Sequence, residues 1–205
     1  GSLREAVSAP NRIVVFRVSG NIDLASGLSI NQPNLTIAGQ TAPGGGICVR
    51  NHAVVIRADN VILRHMRFRP GDASGGAPDS LSVGGGDRVI IDHCSASWSI
   101  DETLSVTGEE TGRVTVQWCI ISESLLDSNH PKGPHGMGSL IRPHDARLSF
   151  HHNLYAHHDS RNPRPGTYGG AVLTFDFRNN VIYNWGSIAG YSGGEGEHEI
   201  GRAHV

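Results

Sequence analysis

Residues 87–106 read DRVIIDHCSASWSIDETLSV, and this stretch holds both one turn of a repeat and part of a candidate cation site. Val89 and Ile91 are apolar with Ile90 between them, and residues two apart share one face of a pleated strand. Five further segments, 35–40, 61–66, 114–119, 148–153 and 175–180, follow the same template as 89–94. Their first position is Leu35, Val61, Val89, Val114, Leu148 or Phe175, and their third is Ile37, Leu63, Ile91, Val116, Phe150 or Phe177. Both columns are wholly apolar. The sixth positions, 40, 66, 94, 119, 153 and 180, are spaced by 26, 28, 25, 34 and 27 residues, which is the signature of a repeat architecture.

A second short apolar alternation precedes most of these strands: Leu28 and Ile30, Val54 and Ile56, Leu81 and Val83, Leu104 and Val106. Turn residues join each to the next strand, as in Asn31-Gln32-Pro33-Asn34, Asp59-Asn60 and Gly84-Gly85-Gly86-Asp87. Two or three strands per coil, polar bends and no long amphipathic helix predict an all-β fold, a right-handed parallel β-helix. The sixth column then forms inward ladders, Cys94 near Cys119 and Asn153 near Asn180. A leucine-rich solenoid would need a Leu/Asn consensus that is absent.

The chain has 205 residues, 27 of them glycine, enough for one domain with a sizeable core. That domain is expected to cover residues 1–199 and to be truncated at one or both ends. Residues 200–205, IGRAHV, back-translate to a sequence like the start of a common sequencing adapter, so they are expected to be non-biological. Genuine coding sequence running past Val205 would remove that idea. Ser2-Leu3-Arg4-Glu5 has capping-box spacing, so residues 1–7 should form a short helical turn over the first coil. Two of the three cysteines fall in equivalent interior columns, which makes them apolar fillers rather than a disulfide framework, with a Cys94–Cys119 bond as the alternative. No stretch is apolar enough to span a membrane. A monomer without nucleic-acid or membrane partners is expected.

The net charge of -2 is less informative than its distribution. Between residues 72 and 110 lie Asp72, Asp79, Asp87, Asp92, Asp101, Glu102, Glu109 and Glu110 against Arg88 alone. Between 130 and 164 the balance reverses, with Lys132, Arg142, Arg147, Arg161 and Arg164 against Asp145 and Asp159, plus seven histidines. An acidic patch beside a basic one suits a hard cation bridging to an anionic ligand. Asp79 and Asp101 precede equivalent strands on successive coils, about 4.8 Å apart, so their carboxylates should lie side by side. Calcium takes oxygen ligands of this kind; the bland alternative is two aspartates capping turns.

The segment Val89-Ile90-Ile91-Asp92-His93-Cys94-Ser95, with Trp98, Asp101 and the later Arg161-Asn162-Pro163-Arg164, resembles the calcium-dependent pectate lyases and the related pollen-allergen proteins, from residue 1 to about 184. The resemblance implies calcium as cofactor, with Asp79 and Asp101 as ligands and Glu102 as a substitute, since two acidic positions of the family pattern are Ala77 and Ser105 here. It implies that Arg161, the first arginine of an Arg-x-Pro-x-x-Arg pattern, is catalytic. The second arginine falls at Gly166, and Arg164 is expected to hold a substrate carboxylate instead, a task suited to a planar bidentate fork. The implied substrate is polygalacturonate of the plant cell wall, cleaved by β-elimination, and the implied location is outside the cell, because a polymer cannot enter the cytoplasm.

His130, Lys132 and His135 lie in the Pro/Gly-rich excursion that makes the step of 34 residues, and such loops often carry function; all three are expected to bind substrate. His151-His152 and His157-His158 lack zinc-ligand spacing, and adjacent histidines on a strand should face opposite ways. Asp92 and His93 read as buried partners, and Trp98 and Trp118 as core or sugar-stacking residues. The rival functions are a pectin glycoside hydrolase, which needs carboxylates as acid and base or nucleophile, and a carbohydrate-binding β-helix without turnover.

Overall fold

In the computed structural model, which describes residues 1–167 and 170–192, the chain winds through successive coils of three short strands. The first coil is β1 (Arg12–Val15), β2 (Gly20–Asp23) and β3 (Leu28–Ile30); the second is β4 (Leu35–Ala38), β5 (Ile47–Arg50) and β6 (Val54–Arg57). The third is β7 (Val61–Arg64), β8 (Met66–Arg69) and β9 (Leu81–Gly85); the fourth is β10 (Val89–Asp92), β11 (Ser95–Ser97) and β12 (Leu104–Gly108). The fifth is β13 (Arg113–Gln117), β14 (Ile120–Ser122) and β15 (Leu140–Pro143); the sixth is β16 (Ala146–His151), β17 (Leu154–Ala156) and β18 (Arg164–Pro165). A seventh begins with β19 (Leu173–Arg178) and β20 (Val181–Tyr183).

Equivalent strands of neighbouring coils pair in parallel, giving two seven-stranded sheets and one six-stranded sheet among the described residues. The fold is the parallel β-helix expected from the repeat. The register matches the template: Ile91 stands between Leu63 and Val116, and all three are buried at 1% exposure or less. Each such side chain contributes about 1.5–3 kcal/mol when taken fully out of water, so the inward columns are the principal stabilising feature.

Polar ladders fix the bends. Asn34 Nδ2 donates to Asn11 Oδ1 and Asn60 Nδ2 to Asn34 Oδ1, each at 2.8 Å, and these asparagines have φ of 60°, 60° and 55°, a left-handed conformation that asparagine tolerates. Inside, Asn153 Oδ1 accepts from Cys119 N and Asn180 Oδ1 from Asn153 N, both at 2.9 Å, while Asn180 Nδ2 donates to Phe150 O at 2.8 Å. The buried backbone groups at this bend are thereby satisfied. Cys94 and Cys119 are buried free thiols, as fillers should be. At the N-terminus the helix Leu3–Ala6 is capped by Ser2, whose side chain accepts from Glu5 N, and Leu3 and Val7 join the core.

Several expectations change. His93 is not buried: its ring Nδ1 lies 2.6 Å from an oxygen of buried Asp92, but its side chain is 45% exposed. Trp98 and Trp118 are exposed rather than core. For His93 and Trp118 the cause lies in the bend between the first two sheets, where His65, His93, Trp118 and His152 have φ of 53°, 52°, 53° and 57°, so each leaves the alternating pleat and points outward; Trp98, just past β11, has a φ of 62° of its own. The four rings at the bend stack in sequence, His93 on His65 at 4.8 Å and Trp118 on His152 at 4.3 Å. The same bend brings His151 Nδ1 to 2.9 Å from His152 Nδ1, where strict alternation would separate them. Residues 200–205, and with them the far boundary of the domain, fall outside the described residues.

Candidate active site

The third sheet positions the chemistry because its strands begin where the chain returns from a loop. Leu81 N bonds Thr103 O and Ser80 N bonds Glu102 O, so the residues ahead of β9 and β12 stack. The ladder continues through bridges from Glu102 to Met137 and from Met137 to Ser160. Asp79, Asp101, Glu102 and Arg161 therefore meet although they come from successive returns of the chain.

Asp79, Asp101 and Glu102 each offer a carboxylate oxygen within 4.8 Å of the others. Asp79 Oδ1 also accepts from Glu102 N at 3.3 Å. Burial is the main reason that the Asp79 carboxyl is pushed up to about 7, and the Asp101 charge adds to it, while the Ser105 hydroxyl and Arg161 draw it back. Two crowded, partly buried carboxylates are a site for a cation. The donor set, all carboxylate oxygen, fits calcium. Glu102, at 5% exposure, is tied to the Arg161 guanidinium through Oε1 and Nη1.

Arg161 is held by its backbone as well. Its carbonyl accepts from Ser139 N at 2.6 Å, and a β-carbon on Gly138 would stand 2.4 Å from that oxygen. Only glycine permits this approach. Arg161 has a φ of 58° and its side chain is 14% exposed, so the guanidinium is enclosed apart from a small window.

His130 and His135 are each 7% exposed and rest against Asp101 rather than on the open face expected of substrate contacts. His135 Nε2 is 2.8 Å from Asp101 Oδ1 and His130 Nε2 is 3.6 Å from Oδ2. Their rings lie 4.0 Å apart and 10° from parallel. His130 Nδ1 accepts from Lys132 N at 3.1 Å, which leaves Nε2 as the side carrying the proton in a neutral ring. Asp101, His130 and His135 each also offer a ligand atom within 4.8 Å of the others. Burial lowers the His135 pKa, against the opposing pull of Asp101. The pair thus braces Asp101. Lys132 is exposed.

Arg164 lies on β18, in register with Leu140, and its guanidinium sits 5.5 Å from the Tyr191 ring centroid. Ser105, at 1% exposure, pairs with Ser82 in the adjacent strand. Of the paired histidines, His158 is structural: Nε2 meets Ile121 O at 2.9 Å and Nδ1 meets Ser124 Oγ at 2.8 Å, and burial pushes it down to about 4. The sequence reading missed the Glu102–Arg161 pair and Gly138. The one available signal for Gly138 was a glycine placed just before the β15 strand.

No protein-family model matches the chain. Among curated proteins, a probable pectate lyase C of Neosartorya fischeri is 39% identical over 198 residues, covering 96% of this chain and 43% of the relative. The probable pectate lyase C of Aspergillus fumigatus is 39% identical over 196 residues, with 95% and 43% covered, and that of Aspergillus flavus 38% over 203 residues, with 98% and 45% covered. The chain thus spans less than half the length of these relatives. Nearly all of it, coils and clustered carboxylates alike, lies within the stretch that is similar to these pectate lyases.

Proposed function

We propose that residues 1–199 form one β-helix domain of a secreted, calcium-dependent lyase that cleaves α-1,4-linked polygalacturonate by β-elimination, leaving unsaturated oligogalacturonates. The observation that carries this reading is the meeting of Asp79, Asp101 and Glu102 with Arg161 on successive coils. Elimination removes the C5 proton, α to the uronate carboxyl, and expels the O4 glycosidic oxygen. Calcium held by these three carboxylates would supply Lewis-acid stabilisation of the charge that develops on the substrate carboxylate.

The chain's own residues do the rest. Asp79 and Asp101 gather negative charge that a uronate could approach only with a cation between them. His130 and His135 keep Asp101 in place. Arg161 serves as the catalytic residue at the C5 proton, the role the family resemblance gives it. A guanidinium normally keeps its proton, so its positive charge also steadies the developing anion, and both uses require the placement that Glu102 and Gly138 impose. Arg164 and Lys132 hold further carboxylates of the polymer.

A hydrolase is less well served by this arrangement. Its two carboxyl groups stand roughly 5–9.5 Å apart across the scissile bond, whereas here the carboxylate oxygens crowd within 4.8 Å and one of them is bound to Arg161. Cleavage assayed by new reducing ends, with calcium and then with a chelator, tests the proposal. A lyase falls silent in chelator and recovers when calcium is restored. Undiminished cleavage in chelator would favour the hydrolase, and no cleavage under either condition would favour a binding module.

A further inference from the structure

We propose that Met137 is an oxidative modification site of the active centre: a peroxide that converts its thioether to the sulfoxide lowers turnover by drawing the Arg161 guanidinium away from Glu102. The loss of turnover rests on the lyase reading above; the modification itself does not. The chain has two methionines and three cysteines. Met66 is 1% exposed, within the apolar core, and Cys48, Cys94 and Cys119 are buried. Of these five sulfur side chains Met137 alone is partly open to solvent, so a small oxidant in water reaches it first.

Met137 pairs through parallel bridges with Glu102 on one side and Ser160 on the other, and residues paired across neighbouring strands send their side chains to the same face. The thioether accordingly stands between the Glu102 and Ser160 side chains, and Ser160 Oγ donates to Met137 Sδ at 3.0 Å. Glu102 in turn holds the guanidinium of Arg161, the residue after Ser160. The Met137 backbone is fixed at both ends, its N–H bonding Asp101 O at 3.4 Å and its carbonyl accepting from Thr103 N at 3.0 Å, so side chains must accommodate an added oxygen. Hydrogen peroxide supplies that oxygen: a sulfur lone pair attacks the peroxide, an S–O bond forms as the O–O bond breaks, and the departing hydroxide takes the remaining proton to leave as water. Sulfur loses two electrons and the peroxide gains them. A weak acceptor thereby becomes a strong one. The Arg161 Nε–H is buried and makes no hydrogen bond among the described residues, which gives the guanidinium a donor to spare for the new oxygen.

The test treats wild type, Met137→Leu and Met66→Leu with hydrogen peroxide, maps the added oxygen by peptide mass, and reads kinetics on polygalacturonate in calcium as treated over untreated for each protein. One charge-assisted hydrogen bond diverted from Glu102 corresponds to about tenfold in rate. Oxygen should enter wild type at Met137 before Met66, kcat should fall about tenfold with KM little changed, and methionine sulfoxide reductase should restore the rate. Met66→Leu should respond as wild type does, whereas Met137→Leu should keep its own untreated rate through the same exposure. Oxygen entering Met66 as fast as Met137, oxidation of Met137 without loss of rate, or an equal proportional loss in Met137→Leu would each overturn the proposal. An untreated wild type that does not cleave polygalacturonate overturns the lyase reading and the lowered turnover with it, while the peptide masses still decide whether Met137 is the site.

Discussion

Replacing Asp79 with asparagine should abolish turnover yet stabilise the calcium-free protein, and the gain should depend on pH. The native Asp79 carboxyl ionises near 7 rather than 3.8, chiefly because it is buried and also because Asp101 adjoins it. Between those two values the folded protein holds a proton that the unfolded chain has released. Stability contributed by this group is therefore complete below about pH 4 and is lost as pH rises to about 7. Above that, the ionised carboxylate costs at most about 4 kcal/mol, and the group's partial contact with solvent reduces this to roughly 2 kcal/mol. An asparagine at this position carries no such burden. Denaturant unfolding in chelator at pH 4 and pH 8 should show Asp79→Asn close to wild type at the lower pH and about 2 kcal/mol more stable at the higher. Saturating calcium should reverse the order, because wild type gains about 2.7 kcal/mol at a hundredfold excess over Kd and the variant does not. A stability difference that is the same at both pH values would refute the assignment of Asp79 as a destabilised, cation-seeking carboxylate.

Other consequences follow from the same geometry. Gly138→Ala puts a β-carbon 2.4 Å from Arg161 O; kcat should fall about a hundredfold through misplacement of the guanidinium, visible in initial rates, while binding of polygalacturonate changes little. His135→Ala removes the 2.8 Å contact with Asp101, and calorimetric titration should show calcium affinity about tenfold weaker. Trp118→Ala, at a bend of the first two sheets and 52% exposed, should cost less than about 1 kcal/mol of stability and leave KM on polygalacturonate unchanged.

The first sheet was legible in the sequence because its inward positions admit only apolar residues, so Val89/Ile91 and their five counterparts stand out. The second sheet was not, since strands such as Ser95–Ser97 are three residues long and present serine on both flanks of a buried Ala96. Neither was β1, whose Ile13 and Val15 face solvent. In the site, the Asp79 and Asp101 stack followed from their equivalent places before β9 and β12. The Arg161–Glu102 pair spans 59 residues and depends on how the long excursion between β14 and β15 returns, which no local pattern encodes. That excursion also decides the fate of His130 and His135: as loop residues they read as solvent-facing substrate contacts, but the fold turns them onto Asp101. At the His93 and Trp118 bend the two-residue alternation fails for a definite reason, a left-handed backbone that swings both side chains outward.

The chemistry of the new chain end separates elimination from hydrolysis most directly. Oligogalacturonates released in calcium by wild type and by Arg161→Ala should be examined for ultraviolet absorbance and mass. Wild type should form ends carrying a carbon–carbon double bond, lighter by one water than hydrolysis products, and the variant should not. Saturated products from wild type, or undiminished elimination by Arg161→Ala, would contradict elimination with Arg161 as the catalytic residue.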